Sequence, residues 1–321
     1  MVLGRVEALS DSETDNNDLP RTKRDRSPKP SKVRKEHMVP KRPRLDRVME
    51  LSDSDADSEK TVKLNGKQQL VCDYSKFKEL ERNATLRPFV EVFAGSCHLS
   101  HAFNDAGHPN YSFDVKLDEA HNMITEKGLD LVRLKIHELK AAAGGTLPYI
   151  HFAPPCSTYS QARYPKIRST SNPQGLPAKQ LTQHDRNILR HANKITANTF
   201  KLMTELTQQG FPVSIEQPAS SLMLRLKSFK GWAAQSGASP VLVDYCQFGM
   251  PYRKRTVLWT SPAGFLAGLE RRCPGLSDDH QHQSSLSGWD KNKGLATSLG
   301  CSAYPGRLCR EWVRVFNTVR F

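Results

Sequence analysis

The chain has 321 residues, a formal net charge of +14 at pH 7 and a pI near 9.5, enough length for one sizeable α/β domain with extra segments. No apolar run approaches the roughly 20 residues that span a bilayer, and the first residues lack the apolar stretch of a secretory leader, so a soluble, intracellular chain is expected. Seven cysteines, odd in number and scattered, do not make a secreted disulfide framework, while the positive excess calls for a polyanionic partner such as nucleic acid.

Residues 1–68 are poor in aromatic and long apolar side chains, so they are expected to form a disordered tail that buries too little surface to offset chain entropy. Two acidic serine clusters, Leu9-Ser10-Asp11-Ser12-Glu13 and Leu51-Ser52-Asp53-Ser54-Asp55, flank a basic centre. They resemble acidic-directed kinase sites, and Val48-Met49-Glu50-Leu51 weakly resembles a SUMO-interacting motif; a solvated low-complexity tail is the simpler reading. Within the centre, Pro40-Lys41-Arg42-Pro43-Arg44 resembles a nuclear localisation signal, which predicts a nuclear location and recognition by import factors.

Order is expected from about residue 69. Phe89-Val90-Glu91-Val92-Phe93 reads as a strand ending in the turn Ala94-Gly95-Ser96, followed by a helix over 98–106. Further strands are predicted at 111–114 and 149–153, the latter stopped by Pro154-Pro155. From 182 to 209, apolar residues at Ile188, Ala192, Ile195, Thr199, Leu202 and Leu206 recur every three or four positions and predict one long helix. Strands at 212–216, 241–245 and 256–259 complete the alternation, which argues for a doubly wound, mostly parallel sheet. In such sheets ligands bind beyond the carboxyl ends of the strands, where Gly95, Asp114, Cys156 and Glu216 all fall.

Gly95 alone is a weak indicator, because many tight turns need glycine. With Asp114 about twenty residues on, where a nucleotide-type site places a carboxylate on ribose hydroxyls, it points to an adenosine-containing cofactor. Cys156 follows two prolines that fix the strand exit, an exposed position that suits a reactive thiol better than a structural one.

The segment Ala153-Pro154-Pro155-Cys156-Ser157 resembles the Pro-Cys nucleophile motif of the cytosine-5 DNA methyltransferase family. In that family's order, 89–97 resembles the cofactor-binding first motif and Ile215-Glu216-Gln217-Pro218 the Glu-Asn-Val motif. Tyr245-Cys246-Gln247-Phe248-Gly249-Met250-Pro251-Tyr252-Arg253-Lys254-Arg255-Thr256 resembles the arginine motif, and Ser302-Ala303-Tyr304-Pro305-Gly306-Arg307-Leu308 the final one. The wording is similar to a short, divergent branch seen in viral and mobile-element proteins.

The resemblance implies a class I, Rossmann-like methyltransferase domain over 69–321 that uses S-adenosyl-L-methionine and acts on DNA. It implies Cys156 as the nucleophile at carbon 6 of cytosine and Glu216 as the acid at ring nitrogen 3. Arg253 and Arg255 would orient the base and counter charge on its exocyclic oxygen. Phe93, Ala94, Gly95, Ser96, Cys97, Asp114, Asp130, Pro154 and Ser302 are implied cofactor contacts.

The chain departs from the pattern at Cys97 (glycine in the family), Asp114 (glutamate), Gln217 (asparagine) and Ser302 (asparagine), and has one residue fewer between Pro251 and the arginines. Only about 45 residues separate Thr256 from Ser302. A short variable insertion over about 262–298 therefore stands where a large target-recognition domain is usual, which leaves room for a partner that supplies recognition.

Cys273, His280, His282 and Cys301 are zinc-compatible types, but their spacing matches no standard paired-ligand pattern; surface histidines are expected and no metal ligand is assigned. Trp289 is read as a DNA contact or as packing for the insertion. Three functions stay open: a DNA methyltransferase, a tRNA cytosine-5 methyltransferase of the same fold, and a non-catalytic DNA-binding relative. The tail and the lack of a Cys-Phe-Thr segment favour DNA.

Overall fold

The computed structural model describes residues 86–283 and 302–319, with four further two-residue strand segments at Lys63–Leu64, Lys67–Gln68, Trp289–Asp290 and Leu295–Ala296. The basic and acidic clusters of the tail, Cys72, Cys301 and the side chain of Trp289 lie outside the described residues.

Six strands form one sheet: β1 (Phe89–Val92), β2 (Asn110–Phe113), β3 (Tyr149–Phe152), β4 (Val213–Pro218), β5 (Ser239–Asp244) and β6 (Arg255–Ser261). Their order is β2-β1-β3-β4-β6-β5, with β2, β1, β3 and β4 parallel and β6 antiparallel to both neighbours. This is the Rossmann-like α/β arrangement expected from the sequence, with one reversed strand. β1 and β3 are buried along their whole length, which explains their nearly continuous apolar sequence.

Strand alternation divides the core into two layers. Phe89 and Tyr149 pack on one face with Leu99 and Phe103 of α1 (His98–Asp105) and Trp312 and Phe316 of α5 (Gly306–Thr318). Val90, Val92, Ile150 and Phe152 face the other way, toward α2 (Glu126–Ala142), α3 (Gln183–Gln208) and α4 (Lys227–Ser236). Each large apolar side chain so buried contributes about 1.5–3 kcal/mol.

Local chemistry sets the helix ends. Thr125 caps α2 by accepting from Gly128 N, and a β-carbon at Gly128 would lie 2.2 Å from the Asn122 carbonyl oxygen, so only glycine allows that approach. Thr182 and Asp185 form a reciprocal capping box on α3. The buried face of α3 runs through Leu189, Thr196, Thr199, Phe200, Met203 and Leu206, while Ile188, Ala192 and Ile195 are only half-buried, a shift from the expected stripe. The reason is length: the first turns of α3 cover the β3–α3 loop, where Leu189 joins Ile167 and Leu181, and only the later turns lie on the sheet core.

The chain leaves β1 for β2 on one side and crosses back to β3 on the other, so the strand order reverses at β1. The parallel registers align Val92 with Phe113 and Phe152, and Phe152 with Ile215. One residue beyond that row stand Phe93, Asp114, Ala153 and Glu216, at the carboxyl edge where ligands of open α/β sheets bind.

Candidate active site

The turn after β1 is built by unusual backbone. Phe93, Gly95 and Cys97 have φ of 68°, 57° and 59°, a left-handed region uncommon for side-chain-bearing residues. Two features hold it. Phe93 N and Ala94 N both donate to the Phe113 carbonyl, and Gly95 N donates to Asp114 Oδ2 at 2.9 Å. Asp114 Oδ1 accepts from Lys116 N, also at 2.9 Å. The two residues singled out in the sequence are thus joined directly. A β-carbon at Gly95 would meet nothing within 4 Å, so the turn opens onto free space. Each Asp114 oxygen keeps a second lone pair for a hydroxyl donor. These residues fit the ribose end of an adenosyl group.

Below the turn, buried Glu91 accepts from Ser100 N at 3.0 Å and from the Ser100 hydroxyl, tying β1 to α1. Burial raises its carboxyl to about 7, and its Oε1 has no hydrogen-bond partner among the described residues.

Cys156 follows the strand exit, with Pro154 buried and Pro155 exposed. Tyr159 N closes a turn on the Cys156 carbonyl at 2.9 Å, and Leu222 N donates to the Tyr159 carbonyl at 3.0 Å. Arg168, itself buried, lies 3.7 Å over the Tyr159 ring and donates to the Pro173 carbonyl at 2.8 Å, fastening the long loop that follows. Arg163, Lys166 and Arg168 line a hollow of about 140 Å³ in that loop with Thr158, Ser160 and Ser169.

Glu216 is buried at the end of β4. Its Oε1 lacks a hydrogen-bond partner among the described residues, and the nearest cation is Lys254, whose Nζ lies 3.8 Å away, too far for a hydrogen bond. Lys254 also sits 4.6 Å over the ring of fully buried Tyr245. Burial raises the Glu216 carboxyl, with Lys254 opposing. Burial likewise raises the Cys156 thiol; Glu216 adds to the rise and Lys254 opposes it, so the three groups share one electrostatic site. Gln217 braces it: Nε2 donates to the Pro154 carbonyl at 2.8 Å, and Oε1 accepts from the Ser221 hydroxyl at 2.9 Å. Gln217 therefore ties the cysteine loop to β4.

The two arginines go elsewhere. Arg253 Nε and Arg255 Nε lie 3.5 Å and 3.4 Å from Oδ1 of buried Asp244, and both side chains are more than a third exposed. On extended chain, residues 253 and 255 share one side and 254 takes the other, so the cation facing Glu216 is Lys254. The sequence reading missed this, although the alternation within Arg253-Lys254-Arg255 carries it. Asp130, an implied cofactor contact, lies on an exposed part of α2, 2.7 Å from Arg133, which also pairs with Glu205 of α3. Ser302 is exposed at the start of the described C-terminal segment. Nearby, Tyr304 is fixed by its hydroxyl to His151 Nε2 at 2.9 Å and by its carbonyl to His98 Nδ1 at 3.0 Å.

The histidines expected on a polar surface are instead partly buried together. Cys273, His280 and His282 converge with Cys246, a residue the sequence reading did not group with them; Cys301 lies outside the described residues. A concavity of about 700 Å³ between α3 and α4 is lined by none of Cys156, Glu216 and Lys254.

No protein-family model and no curated protein matches this chain. Among solved structures, the chain is similar to the S. pombe Dnmt2 methyltransferase at 12% identity and a TM-score of 0.31, over 60% of this chain and 52% of that one. It is also similar to the Entamoeba histolytica methyltransferase EhMeth at 12% identity and a TM-score of 0.33, over 62% and 57% of the two chains. The chain thus spans about half the length of these structures.

Proposed function

We propose that this protein uses S-adenosylmethionine to methylate carbon 5 of cytosine in DNA, with Cys156 as the nucleophile. The observation that carries this reading is that one sheet edge aligns the Gly95–Asp114 turn, the strand exit leading to Cys156, and Glu216, with Gln217 bonded to Pro154 just before the cysteine. A half-buried thiol and a buried carboxyl with an unpartnered oxygen suit addition to a ring whose nitrogen must be protonated.

Cys156 sulfur bonds to carbon 6 as its thiolate while Glu216 supplies a proton to ring nitrogen 3, which leaves carbon 5 enamine-like and nucleophilic. The cofactor supplies the electrophilic methyl group. Loss of the carbon 5 proton to solvent then expels Cys156 as its thiolate, and ring nitrogen 3 returns its proton to the Glu216 carboxylate, which restores the ring. Lys254 steadies the charge of Glu216 and favours the thiolate. Gln217 holds the loop so that sulfur and carboxyl face the same base. The target base must leave the duplex stack, at about a few kcal/mol. The net charge of +14 and the exposed Lys166 in the loop after Cys156 support a polyanionic substrate. The basic clusters at 40–46 support a nuclear location; changing Lys41, Arg42 and Arg44 to Ala should move a fluorescent fusion to the cytoplasm.

The deciding experiment offers duplex DNA and tRNA carrying 5-fluorocytosine, with the cofactor, to wild type and Cys156→Ser. Fluorine blocks the final elimination, so a denaturation-resistant adduct should form on DNA with wild type alone. An adduct on tRNA only would transfer the reading to RNA. An adduct at another cysteine, or none on either substrate while the cofactor binds, would reject it.

A further inference from the structure

We infer that Cys246, Cys273, His280 and His282 bind one zinc ion that fastens the segment after β6 to the end of β5. Their ligand atoms all lie within 4.8 Å of one another. Cys273 Sγ is 3.3 Å from His280 Nε2 and 3.5 Å from His282 Nε2, and the two Nε2 atoms are 3.2 Å apart. A tetrahedral zinc with bonds of about 2.3 Å to sulfur and 2.0–2.1 Å to nitrogen requires ligand separations of about 3.3–3.8 Å. The three spacings among Cys273, His280 and His282 lie close to that edge, and Cys246 joins them within 4.8 Å. The two imidazole rings stand at 85°, both turning the same nitrogen to one point.

Hydrogen bonding alone accounts poorly for this convergence. Two facing Nε2 atoms share at most one proton, and a weakly bonding thiol satisfies little of what remains. Two thiolates and two imidazoles form a soft set that selects zinc over calcium or magnesium, and four protein ligands leave no open position, so the ion is structural.

The surrounding chain supplies the second argument. Residues 270–283 bring no buried apolar side chain: only Cys273, His280 and His282 are partly buried, while Leu276 is 68% exposed. Yet the segment is docked, with Asp244 N donating to the Arg271 carbonyl at 2.8 Å and Ser277 and His280 exchanging backbone hydrogen bonds. A polar segment without a core needs another source of order, which metal binding supplies. The site also communicates with the arginine pair. Cys273 N donates to Asp244 Oδ2 at 2.8 Å, and Oδ1 of the same carboxylate holds Arg253 and Arg255. The ion thus anchors the platform that presents two arginines next to the candidate active site.

The test uses the full chain, produced with added zinc, purified without chelator and analysed for metal. Wild type and Cys156→Ser should carry about one zinc per chain, while Cys273→Ser and His282→Ala should fall below about a tenth. Cobalt should replace zinc and show thiolate charge-transfer and tetrahedral ligand-field bands. His282→Cys should retain the metal and gain charge-transfer intensity, which separates ligand loss from misfolding. Metal-free wild type that takes up no cobalt, zinc retained when both cysteines are serine, or a Cys246–Cys273 disulfide in the purified chain would each overturn the inference.

Discussion

Lys254 Nζ lies 3.8 Å from Glu216 Oε1 inside the sheet edge, and the same cation opposes the rise of both the Glu216 carboxyl and the Cys156 thiol. Replacing Lys254 with Met removes that opposition, so both groups titrate at higher pH. Under the proposed chemistry the rising limb of the rate follows formation of the thiolate, and the falling limb follows loss of the Glu216 proton. Both limbs, and the optimum between them, should move to higher pH, with the rate at pH 7 down by about tenfold or more. Lys254→Arg should keep most of the wild-type profile. Methyl transfer measured across pH checks this; an unmoved profile in Lys254→Met would remove Lys254 from the site.

Gln217 joins two segments through hydrogen bonds of 2.8 Å and 2.9 Å, both buried. Gln217→Leu leaves the Pro154 carbonyl and the Ser221 hydroxyl without this partner, at a cost of about 1–3 kcal/mol in stability. The looser cysteine loop should lower the catalytic rate by about 10² while cofactor affinity stays within about twofold. Denaturant unfolding with single-turnover methyl transfer reads both; a rate loss matched by lost cofactor binding would contradict the positioning role.

The sheet was legible because each strand is a short apolar run bounded by turn residues, and because Asp114 and Cys156 fall just past strand ends. The arginine motif did not reveal which cation faces Glu216, for a physical reason. Motif order says which residue types are present, whereas the two-residue period of extended chain and the buried acid Asp244 decide where Arg253 and Arg255 go. Cys246 escaped notice because it lies far along the chain from Cys273. The Val243–Arg271 bridge, which lays the later segment beside β5, and the Cys273–Asp244 hydrogen bond bring the two together. Apolar spacing at Leu129, Val132, Ile136 and Leu139 sets the buried face of α2 and leaves Asp130 on its exposed side.

Buried Glu91, with its carboxyl raised to about 7 from an ordinary 4.5, makes stability depend on pH. The folded state holds this proton where the unfolded chain has released it. The contribution is therefore fully present below about pH 4.5 and lost as pH rises through about 7. The shift corresponds to about 3 kcal/mol. Glu91→Gln keeps a polar group for Ser100 and has no proton to lose, so its stability should change less between pH 5 and pH 8 than that of wild type. Urea unfolding at both values measures the difference; equal slopes would show that Glu91 is ionised when folded.

The Gly95–Asp114 hydrogen bond predicts how the proposed cofactor site responds to change. Asp114 accepts Gly95 N on one oxygen and Lys116 N on the other, so its carboxylate both shapes the turn and keeps lone pairs for ribose hydroxyls. Asp114→Ala loses both functions and should weaken S-adenosylmethionine and its demethylated product by about tenfold to a hundredfold, the scale of one or two charge-assisted hydrogen bonds. Gly95→Ala meets open space but a φ of 57°, so it should cost about 1–2 kcal/mol in backbone strain and leave affinity little changed. Gly95→Trp fills the space beyond the turn and should abolish binding while adding little further instability. Titration calorimetry on the three variants, with thermal unfolding of each, separates strain from occlusion. If Gly95→Trp and Asp114→Ala bind both ligands as wild type does, the cofactor does not lie over this turn. The ribose would then have to be held from another part of the sheet edge.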